Sequence, residues 1–129
     1  MKFMLMMHAP RNCTELLAKW SPADFKAHVE FMLKLNEELT SAGELVLAEG
    51  LDMPDKVKVV SAKQAGMPLV TDGPFAESKE FLAGFWIVQV PSAQRAYEIA
   101  SRASVAPGPG GAPMGIPIEV RQVMSAPEV

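Results

Sequence analysis

The stretch Phe81–Val90, FLAGFWIVQV, decides how the rest of this chain is read. Alternate side chains of a strand point to opposite faces of its sheet. Here Phe85 and Ile87 occupy one face and Trp86 and Val88 the other, so neither face is polar. A strand covered on both faces is central in its sheet or lies at a subunit contact. The remaining elements are placed around it.

Upstream, Phe3–Met7 is a short apolar run ended by His8-Ala9-Pro10, which suits a buried first strand. A helical turn is expected within Thr14–Trp20. Ser21-Pro22-Ala23-Asp24 is a helix start, with Ser21 as N-cap, Pro22 at the first helical position and Asp24 at the third. That helix runs to about Ala42 and stops at Gly43. Its apolar stripe is Phe25, Val29, Met32, Leu35 and Leu39, with His28 and Asn36 inside or beside it. Glu44–Gly50 reads as a second strand. Val57–Val60 and Leu69–Val70 read as a hairpin around Ala65-Gly66-Met67-Pro68.

Downstream, Ser92 caps a helix through about Ala103, and Ala106–Pro117 is a Pro/Gly loop. Ile118–Val123 is a last strand, with Glu119 and Arg121 on one face and Ile118 and Val120 on the other. The order β-α-β-β-(β)-β-α-β specifies a ferredoxin-like α+β fold. It is one antiparallel sheet with helices on one face, and residues 1–129 form a single domain. The second sheet face has no helix to cover it and no polar side chains on the central strand. A second subunit packed sheet against sheet resolves this, so a homodimer is expected.

Composition narrows the function classes. The chain has 129 residues, 49% hydrophobic and 21% charged, which fits one globular domain. A net charge of −3 without a basic cluster argues against nucleic acid or an anionic membrane as partner. The run Phe3–Met7 is too short for a signal segment or a membrane span. The single cysteine, Cys13, excludes an internal disulfide and fits a reducing, cytoplasmic setting. His8, His28 and Cys13 lack metal-ligand spacing, and Gly108-Pro109-Gly110-Gly111 matches neither dinucleotide nor P-loop spacing. No metal or cofactor is expected.

The densest polar chemistry lies in TDGPFAESKE, Thr71–Glu80. Asp72 either caps its own turn or holds a carboxylate over a cleft at a strand end. Gly73 is read as supplying backbone freedom and Pro74 rigidity, and Phe75 as filling the core. Glu77 and Lys79 share a face on an extended backbone. They either form a solvated ion pair or bind a small anionic, zwitterionic or keto compound. His28 and His8 are each either satisfied structural histidines or proton-transfer groups, imidazole titrating at about 6.5 when unperturbed. Glu119 and Arg121, on one face of the last strand, either pair across the dimer or bind an anion. The sequence thus nominates Asp72, His28 and His8 as catalytic, and Glu77, Lys79, Phe75 and Arg121 as substrate-binding.

The segments MKFMLMMH, DGPFAESKE, GFWIVQV and IPIEVRQVM, in that order, resemble the DGPF branch of the YCII-related family. The resemblance implies a dimeric α/β barrel, two ferredoxin-like sheets packed face to face. It implies no established reaction. Proteins of the DGPF branch often accompany extracytoplasmic-function sigma factors. Relatives in the wider group have a proposed His–Asp pair in a cleft, and resemble muconolactone isomerases and small monooxygenases of the same barrel type. Two functions follow as expectations. One is a cofactor-free enzyme doing acid–base chemistry on a small carbonyl or lactone compound, with Asp72 and a histidine in one cleft. The other is a noncatalytic module that binds a small ligand or regulates.

Overall fold

In a computed structural model describing residues 1–64, 66–75 and 77–127, the elements follow the expected order. They are β1 (Lys2–Pro10), α1 (Cys13–Leu17), α2 (Pro22–Ser41), β2 (Leu45–Gly50), β3 (Lys58–Gln64), β4 (Met67–Asp72), β5 (Glu80–Gln89), α3 (Ala93–Ser104) and β6 (Ile118–Gln122). Short 3₁₀ turns lie at Pro54–Lys56 and Pro109–Gly111. Ala65, in the expected hairpin loop, lies outside the described residues.

The main sheet has the order β2-β5-β1-β6, with every neighbouring pair antiparallel. This is the ferredoxin-like arrangement, with β5 and β1 at its centre. The register explains the two-sided strand. Phe3 pairs with Val88 and Leu5 with Trp86, and all four are buried beneath the helices. Met4 pairs with Ile87 and Met6 with Phe85 on the opposite face, where all four are only half-buried. The core on the helical side adds Leu35 and Leu39 from α2, and Ala96, Ile99, Ala100 and Ala103 from α3.

Local chemistry sets the helix ends. Ser21 Oγ accepts from the Asp24 N–H, and Asp24 Oδ2 accepts from the Ser21 N–H, a reciprocal capping box. Gly43 stops α2 with φ of 71°. Ser92 Oγ accepts from the Arg95 N–H to begin α3. Arg95 in turn grips Glu44 with two hydrogen bonds of 2.7 Å, fixing the start of β2 to α3. That bond holds the Glu44 carboxyl below its ordinary range.

Two expectations fail here. The hairpin does not join the main sheet: β3 and β4 pair only with each other, from Lys58↔Asp72 to Gln64↔Met67. The outer strands of the main sheet are β2 and β6, and the hairpin pairs with neither. The apolar stripe of α2 is also buried only in part. Phe25 is 42% and Val29 51% exposed, whereas Leu35 and Leu39 are buried. Twenty residues make a helix of about 30 Å, and the first half of α2 extends past the packed core. Phe25 there packs against Trp20, the rings tilted by 41° with centroids 5.2 Å apart.

Candidate functional site

Helix α2 overhangs the sheet, and a cavity of about 290 Å³ lies between them. His28, Met32 and Asn36 line it from the helix, and Met7, Ala48, Ala83, Gly84 and Trp86 from the strands. Three residues spaced four apart on a helix share one face, so the amphipathic pattern itself brings His28 and Asn36 onto this wall. Gly84 belongs there for reasons of space: a Cβ at that position would stand 3.1 Å from the Glu49 carbonyl oxygen.

The two polar groups that α2 brings to the cavity are both oriented by the protein, and Glu49 of β2 lines it as well. His28 Nδ1 lies 3.0 Å from the Pro107 carbonyl oxygen. A carbonyl only accepts, so Nδ1 carries the hydrogen, and in the neutral ring Nε2 carries the lone pair. Trp20 meets the His28 ring edge-on, with centroids 5.5 Å apart. Asn36 Oδ1 accepts from the Trp86 indole N–H at 2.8 Å.

The segment that holds Pro107 is itself anchored. Pro107 bridges to Pro113, Gly108 N–H donates to the Ala112 carbonyl, and Met114 N–H donates to the Ala106 carbonyl. Gly110 N–H donates to Asp24 Oδ1 at 3.0 Å. The Asp24 carboxyl is held below its ordinary range, first by the Ser21 N–H and next by the Gly110 N–H. The Pro/Gly loop is thus a folded flap fastened to the first two turns of α2.

The DGPF segment lies elsewhere. Asp72 Oδ1 accepts from Lys58 Nζ at 2.5 Å across the β3–β4 hairpin, with its side chain 88% exposed. Lys58 holds its carboxyl below the ordinary range. Asp72 is not among the residues lining the His28 cavity. Arg11, just past β1, clamps the segment that follows. Its guanidinium donates to the Phe75 and Ser78 carbonyls at 3.0 Å each, and its own N–H donates to the Lys79 carbonyl. This draws backbone rather than ring toward the body of the protein, and Phe75, expected in the core, is 66% exposed. Gly73 has no left-handed φ, so it does not supply the backbone freedom expected of it. It is needed for room, since a Cβ would meet Val57 Cγ1 at 2.8 Å. Glu77 and Lys79 are exposed.

His8 faces the other side of the sheet from His28. Its Nε2 lies 3.9 Å from Glu119 Oε1, and it lines a broad groove with Lys58, Phe75 and Glu80. Arg121 pairs in register with Met4 on that same face. The nominated residues therefore divide: His8 and Phe75 share a groove, Asp72 stands beside it on Lys58, and His28 lies alone in the α2 cavity. The sequence places Asn36 inside or beside the apolar stripe of α2 and does not mark it as a site residue. Its signal was an amide two turns beyond His28 on the same face. The Arg11 clamp had no such signal, because its acceptors are main-chain carbonyls, which any sequence supplies.

Among the described residues no three His, Cys, Asp or Glu side chains cluster to hold a metal ion, and no helix is long and apolar enough to cross a membrane.

Residues 1–110 match the model of the YCII-related domain family. An uncharacterized protein of Rhizobium meliloti (strain 1021) is 28% identical over 89 residues, 69% of this chain and 71% of that protein.

Proposed function

We propose, for a chain that belongs to the YCII-related family, that the α2 cavity takes a small carbonyl or lactone compound and that His28 moves a proton on it without a cofactor. The observation that carries this is the fixed tautomer. With Nδ1–H bound to the Pro107 carbonyl, the neutral ring presents Nε2 as a base. The C–H bond beside the carbonyl breaks, its electron pair becomes the enolate, and the proton passes to Nε2. Return of the proton to the same or a neighbouring carbon leaves no net redox change. The Pro107 carbonyl dipole supports the transient imidazolium. Met7, Met32, Ala48, Ala83 and Trp86 give the cavity a largely apolar wall, with Glu49 as the carboxylate among its lining residues. Asp72 enters as a hairpin residue held by Lys58, so the proton transfer rests on His28 alone.

The working unit in this proposal is a homodimer formed through the open sheet face. Its support is the half-buried apolar set Met4, Met6, Phe85 and Ile87, with Glu119 and Arg121 beside it. The buried, free thiol of Cys13 supports a reducing, cytoplasmic setting. A second reading, a binding module without chemistry, is favoured by one feature: the partner of His28 is a carbonyl and not a carboxylate.

Deuterium uptake decides between the two. In D₂O, a panel of short and extended ketones and lactones is followed by NMR with wild type and with His28→Gln, which keeps the side chain's bulk. Proton transfer predicts uptake that falls about 10²-fold or more in the variant. Ligand binding with no uptake in any member of the panel leaves the binding module.

A further inference from the structure

The cavity has a second polar group, and its hydrogen-bond sense is set as firmly as that of His28. An indole nitrogen donates and cannot accept, so the atom of Asn36 that meets Trp86 Nε1 is the amide oxygen. The Nδ2 amide, with its two hydrogens, is left for the cavity and has no partner among the described residues. Trp86 is 6% exposed and buried in the core, so the group that orients Asn36 is itself fixed. The cavity therefore offers an acceptor at one end, His28 Nε2, and a donor at the other, Asn36 Nδ2.

The helix sets the distance between them. Eight residues at a rise of about 1.5 Å place positions 28 and 36 about 12 Å apart along the axis. Both side chains lean toward the N-terminus, so their heads keep roughly that separation. Removing two hydrogen bonds of about 2.9 Å leaves about 6 Å between the two polar atoms of a bridging ligand. Met32 lies midway along the helix between them, and Met7, Ala48 and Ala83 are among the apolar residues lining the cavity. The volume of about 290 Å³ accommodates a molecule of one ring with two short substituents.

Resting on the proton-transfer reading above, we infer that the substrate is a flat conjugated carbonyl compound lying along α2, its carbonyl oxygen on Asn36 and its acidic hydrogen at the far end on His28. Conjugation is what joins two groups that far apart into one reaction. The bond to the acidic hydrogen breaks, the proton goes to His28 Nε2, and the electron pair moves along the conjugated chain to the carbonyl oxygen. Asn36 Nδ2 stabilises the negative charge that collects there. Reprotonation at another carbon of the chain gives an isomer, with no oxidant or reductant required. Asn36 is then a specificity-determining residue that selects length.

The probe is 4-hydroxybenzaldehyde, whose phenol and aldehyde lie at opposite ends of one ring, against its 3-hydroxy isomer, which holds them closer. Binding is followed by absorbance, since the conjugate base absorbs at longer wavelength. Expected is preference for the 4-isomer, with a red shift that His28→Gln abolishes. Asn36→Asp keeps an oxygen for Trp86 and replaces the donor by a carboxylate. It is expected to weaken the 4-isomer about tenfold or more. An unmoved Trp86 indole N–H resonance in that variant certifies the fold. No binding of the 4-isomer, equal binding of the 3-isomer, or wild-type affinity in Asn36→Asp overturns the role given to Asn36. Deuterium uptake that depends on His28 would in that case still stand, so the two ideas fail separately.

Discussion

Asp24 and Gly110 are joined across 86 positions of sequence by one hydrogen bond, Gly110 N–H to Asp24 Oδ1 at 3.0 Å. One turn further along α2, His28 donates to the Pro107 carbonyl of the same loop. The residue that caps the helix thus also holds the loop that sets the histidine's tautomer, and the capping box and the candidate site share one carboxylate.

Replacing Asp24 by Asn is therefore expected to disturb a ring it does not touch. The amide cannot accept from both Ser21 and Gly110 through two oxygens, so one bond of the box or the loop is lost. Long-range ¹⁵N–¹H NMR should report a single His28 tautomer in the parent and a mixture in the variant. The sign of the pH effect follows from a carboxyl lowered from 3.8 in the folded chain. Its stabilising contribution is complete above the unfolded value and is lost as pH falls through the folded one. Acid unfolding of Asp24→Asn should lose that part of its slope, and a slope equal to the parent's would refute the shared role.

Trp86→Phe keeps a buried ring but removes the indole N–H that Asn36 accepts. Denaturation in urea should register a loss of about 1–2 kcal/mol, from the missing bond and a slightly underfilled core. The side-chain amide resonances of Asn36 should broaden as the amide becomes free to flip. Sharp, unshifted amide signals would mean that something other than Trp86 orients Asn36.

What could be foreseen in this chain divides by the range of the physics. The start of α2 was legible to the residue, because Ser21, Pro22 and Asp24 act on backbone within four positions. The centrality of β5 was legible because apolar side chains on both faces leave few alternatives. The separation of the β3–β4 hairpin was not, since a local alternation of side chains does not say whether a hairpin joins the edge strands β2 or β6 or pairs only with itself. In the site, the patterning of α2 placed His28 and Asn36 on one wall. What fixes them, a carbonyl at Pro107 and an indole on β5, lies 79 and 50 positions away. Thr71–Glu80 is dense in charge. Its carboxylate at Asp72 turned to the neighbouring strand, and its carbonyls turned to Arg11.

Two substitutions separate those roles in the DGPF segment. Arg11→Ala removes the donors to Phe75 and Ser78 at an exposed site. The expected loss is about 1 kcal/mol globally, with protease cleavage after Phe75 accelerated well beyond it. Gly73→Ala forces a methyl against Val57, just before β3, and Val59 within it, 2.8 Å from Val57 Cγ1 and 3.0 Å from Val59 Cγ2. That overpacking is expected to cost about 1–3 kcal/mol. A neutral Gly73→Ala would mean that the hairpin moves aside without resistance.

The open sheet face carries the last prediction. Ile87 stands on β5 between Met4 of β1 and Leu47 of β2, on the face away from the helices and outside the His28 cavity. If a second copy covers this face, an aspartate at position 87 becomes a buried, unpaired charge in the assembly, worth several kcal/mol against association. In a monomer the same aspartate faces water and changes little. Light scattering at micromolar concentration should give twice the chain mass of 13.9 kDa for the parent and the single mass for Ile87→Asp. Salt probes the rim of the same surface. Charges such as Glu119 and Arg121 lie beside the apolar centre, and added salt, by screening them, should change the association rate more than the dissociation rate. A parent that scatters as a monomer would remove the dimer, and the apolar set on this face would then belong to some other partner.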